Sequence, residues 1–487
     1  MRTTRRLLEA EGTRASALRP SPRDSDTSRR THHRIAGRVI ALPPLLALLT
    51  SFSTVGAMTT SCSSSDDARE PVPSDADGGA DAAPEADRED DVNDAGIKDV
   101  TVVDSAPLPI ECSDPPCAIA LSTTSKSGSG TREEGYCALL HDGAVACWGA
   151  NNAGQLGDPN TIGDSPVPVR VPGLSKVTTL DHTCAVDSDG AAFCWGRGPF
   201  LQSEASATTI QKSPVQLPLP ASATKVAVSP DGLVACAILR DESVVCWGDN
   251  RFSQVGLAIP TSERNAQPKT LELAAGAKNI AVGAATFTIH ENGTLMSWGS
   301  SFSVGRPVAL VSDGWPTKVA LDHVSMVDTV GDEACAVANG IGWCWGAPDL
   351  AGGSLVQDQY ARALPAAVDI PEPITRIATT ESWNVTENTV TYREKHRWCA
   401  TSVTGEVYCW GLNNAGQAGD GTKQFAIQTV RVAGLPAPAA EVKVMPYSTC
   451  AILTNGKVYC WGSNFYGQLG AGLPKKSVLT PVEVKLP

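Results

Sequence analysis

The chain has 487 residues, of which 42% are hydrophobic and only 19% charged, with 44 Gly, 34 Pro and 11 Trp, a profile that favours many short strands and turns over long helices. The net charge of −13 is unevenly spread: residues 1–40 hold ten Arg against four acidic residues, residues 63–104 hold three basic against fourteen acidic ones, and the remainder carries −8. Nucleic-acid binders present a basic surface because phosphate neutralisation drives their affinity, so this mildly acidic remainder argues against that class.

Arg34 and Arg38 precede an apolar stretch from Val39 to Val55, and small residues follow as far as Cys62. The order of positive flank, short apolar core and small residues at the cut is that of a secretory signal. The pair Pro43 and Pro44 and the modest length argue against a permanent membrane span, which needs about 20 apolar residues. The leading 30 residues are longer and more polar than a usual signal, which leaves the true start open. Cys62 resembles the lipid-modified cysteine of a bacterial lipoprotein, with Thr60 and Ser61 as its small-residue box and Thr59 where an aliphatic residue is usual; the alternative is an ordinary signal cleaved nearby, with Cys62 an unpaired thiol. Residues 1–61 are therefore assigned to leader and signal. Residues 62–110 form an acidic tether whose Ala, Asp, Glu, Ser, Pro and Gly cannot bury enough apolar surface to offset chain entropy, which predicts disorder.

From Cys117 onward the sequence repeats itself. Trp-Gly recurs at Trp148, Trp195, Trp247, Trp298, Trp345, Trp410 and Trp461, a period of about 50 residues that points to propeller blades. Ahead of each Trp-Gly, two apolar runs flank a turn, as in the stretch from Cys450 through Asn455 and Gly456 to Cys460. Alternation around Asn-Gly or Asp-Gly signals a hairpin. Cysteines stand at both ends of this hairpin in six copies: Cys137 and Cys147, Cys184 and Cys194, Cys236 and Cys246, Cys335 and Cys344, Cys399 and Cys409, Cys450 and Cys460. Each pair is symmetric about its turn, so its members face each other across two strands, close enough for a disulfide. In the fourth copy both cysteines are missing together, with Phe287 and Ser297 in their places, as expected of a bonded pair. Six disulfides follow, the alternative being reduced core thiols; each closes a loop of about ten residues, worth roughly 2–3 kcal/mol. Cys112 and Cys117 then pair with each other, and Cys62 is left over.

Two further strand-like runs separate successive hairpins, so the expected fold is all-β: a seven-bladed β-propeller of four-stranded antiparallel blades over residues 111–487, behind a signal segment and a disordered linker. The first copy has no Pro-Val-x-Val strand before its hairpin and the last copy is followed by one. From this we expect strand 480–486 to complete the first blade and close the ring.

The segments Trp148-Gly-Ala-Asn-Asn-Ala-Gly-Gln-Leu-Gly157, Trp410-Gly-Leu-Asn-Asn-Ala-Gly-Gln-Ala-Gly419 and Trp461-Gly-Ser-Asn-Phe-Tyr-Gly-Gln-Leu-Gly470 resemble the repeat of the regulator of chromosome condensation family, from about residue 112 to the end. The third copy, from Trp247, is nearly as close; copies two, four and five keep little beyond Trp-Gly, and the family's His before the strand is present only as His182. The resemblance implies a seven-bladed propeller. Among eukaryotic members is a guanine-nucleotide exchange factor for a small GTPase; among bacterial relatives is a secreted inhibitor of β-lactamase that holds a protein partner on its propeller face. Export, predicted disulfides and an acidic surface fit the second kind of role better.

Successive strands alternate direction, so the loop after each Trp-Gly and the loop before each first hairpin cysteine share a face. The stretches from Ser122 to Tyr136, Asp322 to Ala334 and Ser382 to Trp398 are the long ones there, and enlarged loops on one side of a rigid scaffold mark a binding surface. The third concentrates Trp383, Tyr392, Arg393, Lys395, His396, Arg397 and Trp398, types enriched in interface hot spots. These are the candidate partner-binding residues, the alternative being an insertion whose aromatics tuck against the blade. No catalytic pair, metal-ligand set or cofactor loop is visible. The sequence thus reads as an exported or surface-anchored, monomeric, non-catalytic binding scaffold for a protein or glycan, touching a membrane only through a lipid anchor. An extracellular polymer-acting enzyme is the first alternative, which carboxylates at the mouth of the central channel would support; an exchange-factor-like regulator is the second.

Overall fold

The computed structural model describes residues 105–487 apart from 125–132, 202–208, 257–260, 309–311, 347–362, 381–382, 388–389 and 395, with the backbone alone at 261–266, 273, 383–387 and 390–394. The leader, Cys62 and the tether as far as residue 104 lie outside the described residues.

The repeat unit grows from its hairpin. In the first copy the strands Gly135–Leu140 and Val145–Gly149 pair with Cys137 opposite Cys147. The loop between them closes on hydrogen bonds from Leu140 N to Ala144 O (2.8 Å) and from Gly143 N to Leu140 O (2.9 Å). Such a three-residue loop needs its last residue left-handed, and Gly143 has φ +77°. The third copy has Glu242 in that place, held at φ +65°. In the fifth copy, one residue shorter, Asn339 and Gly340 both have positive φ (51° and 76°), as a two-residue primed turn requires. The opposed cysteines have Cα atoms 4.0–4.1 Å apart and are bonded in six blades, and a seventh disulfide joins Cys112 to Cys117. In blade four Phe287 and Ser297 occupy the same register. There Phe287 packs edge-on against Trp345, 5.7 Å between centroids, while Ser297 accepts a hydrogen bond from Arg306 Nε at 3.2 Å.

One strand on each side of the hairpin completes a four-stranded sheet, and seven such sheets make the ring. The innermost strands are Ala118–Thr123, Val177–Asp181, Ala223–Val228, Ala277–Val282, Val324–Val330, Ile374–Thr379 and Ala439–Val444. The strands of each blade follow one another along the chain, except in blade six, where a two-stranded hairpin (Trp383–Glu387 with Val390–Glu394) is inserted after the innermost strand.

The C-terminal strand corrects the expectation that it completes the first blade. Val478–Glu483 pairs with Val458–Gly462 of blade seven, and blade one takes its outer strand, Ser165–Arg170, from its own repeat. Run, hairpin and Pro-Val-x-Val strand already make a full blade in that order, so blades one and seven each take their four strands from their own repeat.

The ring is held by what lies between blades. Hydrophobic cores form across neighbouring blades, as where Cys137 and Leu139 of blade one pack with Val177, Ala185 and Trp195 of blade two. Each Trp is buried and at six of the seven its indole Nε1 donates to a carbonyl of the preceding blade: Trp195 to Gln155 (2.9 Å), Trp298 to Gln254 (2.8 Å), Trp345 to Ser303 (2.6 Å), Trp461 to Gln417 (3.0 Å), Trp148 to Gln468 (2.9 Å) and Trp247 to Pro199. The last glycine of Gly-Gln-Leu-Gly lies under the next indole; a Cβ on Gly470 would stand 2.9 Å from Trp148. Burying one indole is worth on the order of 5 kcal/mol by area, so Trp and Gly are explained by packing between blades.

Candidate binding face and axial channel

One face carries the loops that follow each Trp-Gly and those that precede each hairpin. Among the described residues, six of the twelve exposed large apolar ones sit on it, in the loops after Trp-Gly: Ile162, Phe252, Phe302, Leu364, Phe425 and Phe465. Phe465 stacks edge-on with Tyr466 at 4.9 Å, and the Lys475 ammonium lies 6.0 Å from its ring centroid. The inserted hairpin of blade six, which connects the innermost strand to Arg397–Ser402, springs from the same face.

Of the seven candidate contact residues, Trp383, Tyr392 and Arg393 lie on this hairpin, where only the backbone is described, and Lys395 lies outside the described residues. The other three are corrected by the structure. His396, Arg397 and Trp398 are 5%, 1% and 3% exposed; they belong to the blade and offer no surface to a partner. Trp398 stacks on Trp410 (5.7 Å, 16° between planes) and His396 meets Trp398 edge-on at 4.4 Å and Glu333 at 3.2 Å. Arg397 crosses into blade seven, donating to Met445 O (2.9 Å), Ser448 O (3.1 Å) and Thr449 Oγ1 (2.6 Å), and donates within blade six to Gln417 O (2.6 Å). Burial pulls it down to about 10. The stretch Asp322 to Ala334 is also not a long loop: the strand Val324–Val330 runs through it and turns at Gly331 and Asp332 into the next strand at Glu333.

Glu134, absent from the sequence-derived candidates, faces the same region from blade one. Its carboxylate accepts hydrogen bonds from Tyr447 N and Ser448 Oγ, both 2.6 Å, and from Gln468 Nε2 at 3.3 Å, all on blade seven. Burial raises its pKa, opposed by these bonds and by the Arg397 charge.

Inside the ring, a cavity of about 70 Å³ is lined by the innermost strands of all seven blades. The positions opposite the first hairpin cysteine form one ring of equivalent residues: Ser122, Asp181, Ala227, Ala281, Asp328, Ala378 and Lys443. The two carboxylates cap backbone amides of the next blade, Asp181 that of Val228 (3.4 Å) and Asp328 that of Thr379 (2.8 Å). Enclosure by the walls raises Asp181 to about 6 and raises Asp328, while Lys443 opposes both. His182, φ +49°, shares its Nδ1 with Thr123 O at 2.9 Å and is pulled down to about 4 by burial, so it stands neutral between blades one and two. It bridges two blades, the structural hydrogen-bonding role that its place before the strand suggests.

Residues 142–186 and 446–468 match the Regulator of chromosome condensation (RCC1) repeat. The chain is a propeller of regulator of chromosome condensation repeats. The first match runs from the turn of blade one into the hairpin of blade two, so the RCC1 sequence repeat straddles a blade boundary, which is why the phase of the blades is hard to read from the repeats alone. Among curated proteins, the ultraviolet-B receptor UVR8 of Arabidopsis thaliana is 24% identical over 69% of this chain and 76% of its own length. The human E3 ubiquitin-protein ligase HERC2 is 35% identical over 15% of this chain, which is only 2% of that protein. Among solved structures, Prp20p of Saccharomyces cerevisiae aligns with TM-score 0.55 at 18% identity, covering 70% of this chain and 86% of its own, and human WBSCR16 with TM-score 0.56 at 18%, covering 71% and 95%. At such identities these two likenesses speak for the fold alone.

Proposed function

We propose that this RCC1-repeat propeller is an exported or cell-surface, non-catalytic scaffold that holds a protein partner on its loop-bearing face. The observation that carries the reading is the hairpin Trp383–Glu387 with Val390–Glu394, an addition to one blade that the ring does not need for closure and that rises on the face where Phe252, Phe302 and Phe465 are exposed. Rigid scaffolds that bind do so through such loops. Prp20p, one of the similar structures, is described by its binding to Gsp1p and histones, which supports a protein as the class of partner. Seven disulfides support an oxidising compartment, since reduced cytosol does not keep them.

The carboxylates in the channel speak for the enzyme alternative, but size opposes it. A cavity of about 70 Å³ holds several water molecules, at roughly 10–15 Å³ of such space each, and is small for a polymer residue. Affinity capture by the full-length protein from the organism's outer surface tests the proposal, with a variant in which 383–394 is replaced by Gly-Ser. Capture of one protein by the wild type and its loss in the variant supports the reading; equal capture by both sinks the assignment of the site.

A further inference from the structure

We propose that the outer edge of blade six takes up the same edge of a second copy of this chain, the two strands pairing antiparallel about Gln428. Every blade ends in an outer strand with no further strand beside it, and such edges invite pairing unless they are blunted. Six of the seven are blunted at one register. The residue before the one that faces the second hairpin cysteine, or Ser297 in blade four, is in turn Pro168, Pro214, Pro268, Pro316, Pro365 and Pro481. In blade six it is Thr429, within the strand Ala426–Arg431.

The register decides what that residue does. Val432 N donates to Val407 O at 2.8 Å, and hydrogen-bonded pairs alternate along an antiparallel ladder. Val430 therefore turns its amide toward Cys409, while Thr429 and Arg431 turn theirs away from the blade. Ala426, opposite Gly411, faces inward like Val430, which sends Ile427 outward. A proline at 429 would remove the middle donor of this outward row. In blades one and seven the outward carbonyl at the place of Ile427 is also taken: Pro166 O accepts from Gly472 N (2.9 Å) and Leu479 O from Gly421 N (3.3 Å). Among the described residues no loop amide reaches Ile427 O.

Side chains select the occupant. Ile427 is 78% exposed, against 38%, 48% and 58% for Val167, Ile210 and Trp315 on other outer strands. A second copy covers it with matching chemistry. About Gln428, each Ile427 stands opposite the other copy's Thr429 and each Phe425 opposite its Arg431, giving two β-branched pairs and two cations beside aromatic rings. Pairing about Val430 would set the two Arg431 side chains diagonally across from each other, so charge favours the first register. Two strands of this length bury less than the roughly 1,200–2,000 Å² of a stable interface, which makes the association concentration-dependent. The dimer departs from the monomer expected from the sequence, in which the aligned edges are not visible. It uses the rim of the ring and not the loop-bearing face, so it stands or falls apart from the protein partner proposed above.

Sedimentation equilibrium of the full-length protein between about 5 and 500 µM tests it. The mean mass should rise toward two chains in the wild type. Association should be at least tenfold weaker in Thr429→Pro, which installs the residue that six blades already carry, and in Ile427→Lys. It should be unchanged in Ile210→Lys, on the outer strand of blade two. Gln428→Cys reads the register, because residues facing each other at a non-hydrogen-bonded position come close enough for a disulfide. Under mild oxidation it should join two chains, and Thr480→Cys, at the same place beside Pro481 in blade seven, should not. Near-UV circular dichroism shows whether the variants keep the ring, and Ile427→Lys carries the test if Thr429→Pro loses it. A wild type that stays at the mass of one chain throughout would overturn the proposal, whether or not a strand of another protein binds the edge. So would a dimer that persists in Thr429→Pro and Ile427→Lys, or cross-linking no greater in Gln428→Cys than in Thr480→Cys.

Discussion

The seam between blades seven and one and the seam between blades five and six have the same architecture and are secured differently. At the first, Trp148 donates to Gln468 O, Glu134 takes three hydrogen bonds from blade seven, Leu121 N donates to Glu441 at 3.2 Å and Ala118 N to Gly456 O at 2.9 Å. Arg397 ties blade seven back to blade six. At the second, Ile374 N donates to Gly340 O and Thr379 N to Asp328, both at 2.8 Å, and His396 meets Glu333 at 3.2 Å, but the buried Trp410 has no acceptor for its Nε1 among the described residues, and the outer strand of blade five is only Ala366–Ala367. Covalent continuity accounts for the difference. Blades five and six are joined by the chain, which keeps their effective concentration high, whereas blades seven and one meet only at the end of a long loop closure and exchange no strand. There the bonds to Glu134 add to the strand, indole and carboxylate contacts that other seams share.

The largest test removes the cation that binds the closing blade. Arg397→Met keeps the apolar stem and removes the guanidinium donor from Met445 O, Ser448 O, Thr449 Oγ1 and Gln417 O, of which Gln417 O keeps Trp461 and Thr449 as donors, leaving Glu134 buried without its nearby positive charge. Breaking one side of a buried ionic network costs about 3–5 kcal/mol, so unfolding in urea should shift by that order. A loss below about 1 kcal/mol would show that the ring closes by apolar packing alone.

The staples should not distinguish the two seams. Cys399→Ala with Cys409→Ala in blade six, and Cys450→Ala with Cys460→Ala in blade seven, each open a loop of sequence separation 10. The loss is expected at about 2–3 kcal/mol for either pair, because it arises mainly in the unfolded chain. A much larger effect in blade seven would show that its disulfide, and not only Glu134 and Arg397, carries the closure.

A narrower comparison pits one indole against another. Trp148→Phe leaves Gln468 O without its donor inside the seam, a cost of about 1–2 kcal/mol beyond the lost packing. Trp410→Phe removes an N–H that has no acceptor among the described residues, so it should cost only the packing. Equal losses in thermal or chemical unfolding would contradict the difference between the seams.

Much of this was legible in the chain. Trp-Gly spacing, symmetric cysteine pairs and Asn339-Gly340 lead to seven hairpins with their turn types, because hairpin geometry is local. Three readings are corrected, the stretch Asp322 to Ala334 because a strand runs through it and two for want of register. A repeat can be cut anywhere along its cycle, and only the pairing of Val478–Glu483 with Val458–Gly462 shows where the blade ends. The run from Lys395 to Trp398 has the composition of a solvated loop, yet Arg397 stands two residues before Cys399, in line with Gly135, Val234, Ala285 and Ser448, all buried. Aligning the copies on their cysteines would have placed it in the wall, and the same alignment yields the channel ring of Asp181, Asp328 and Lys443. Glu134 gave no signal, because its partners lie more than 300 residues away.

The smallest effect expected is a pH dependence confined to the closing seam. Burial raises the Glu134 pKa above its ordinary 4.5, so over the interval between these values the folded protein holds a proton that the unfolded chain has released. Stability then falls as pH rises through that interval and levels off above it, the reverse of what a salt-bridged carboxylate with a lowered pKa produces. Glu134→Gln has no such titration. The difference in unfolding free energy between wild type and Glu134→Gln, measured from pH 4.5 to 8, should therefore move steadily in favour of the Gln variant and then flatten. A difference that moves toward the wild type as pH rises would mean that the bonds from Tyr447, Ser448 and Gln468, with the Arg397 charge, outweigh desolvation, and that the seam is closed by an ion held in place and not by a carboxyl poised to take up a proton.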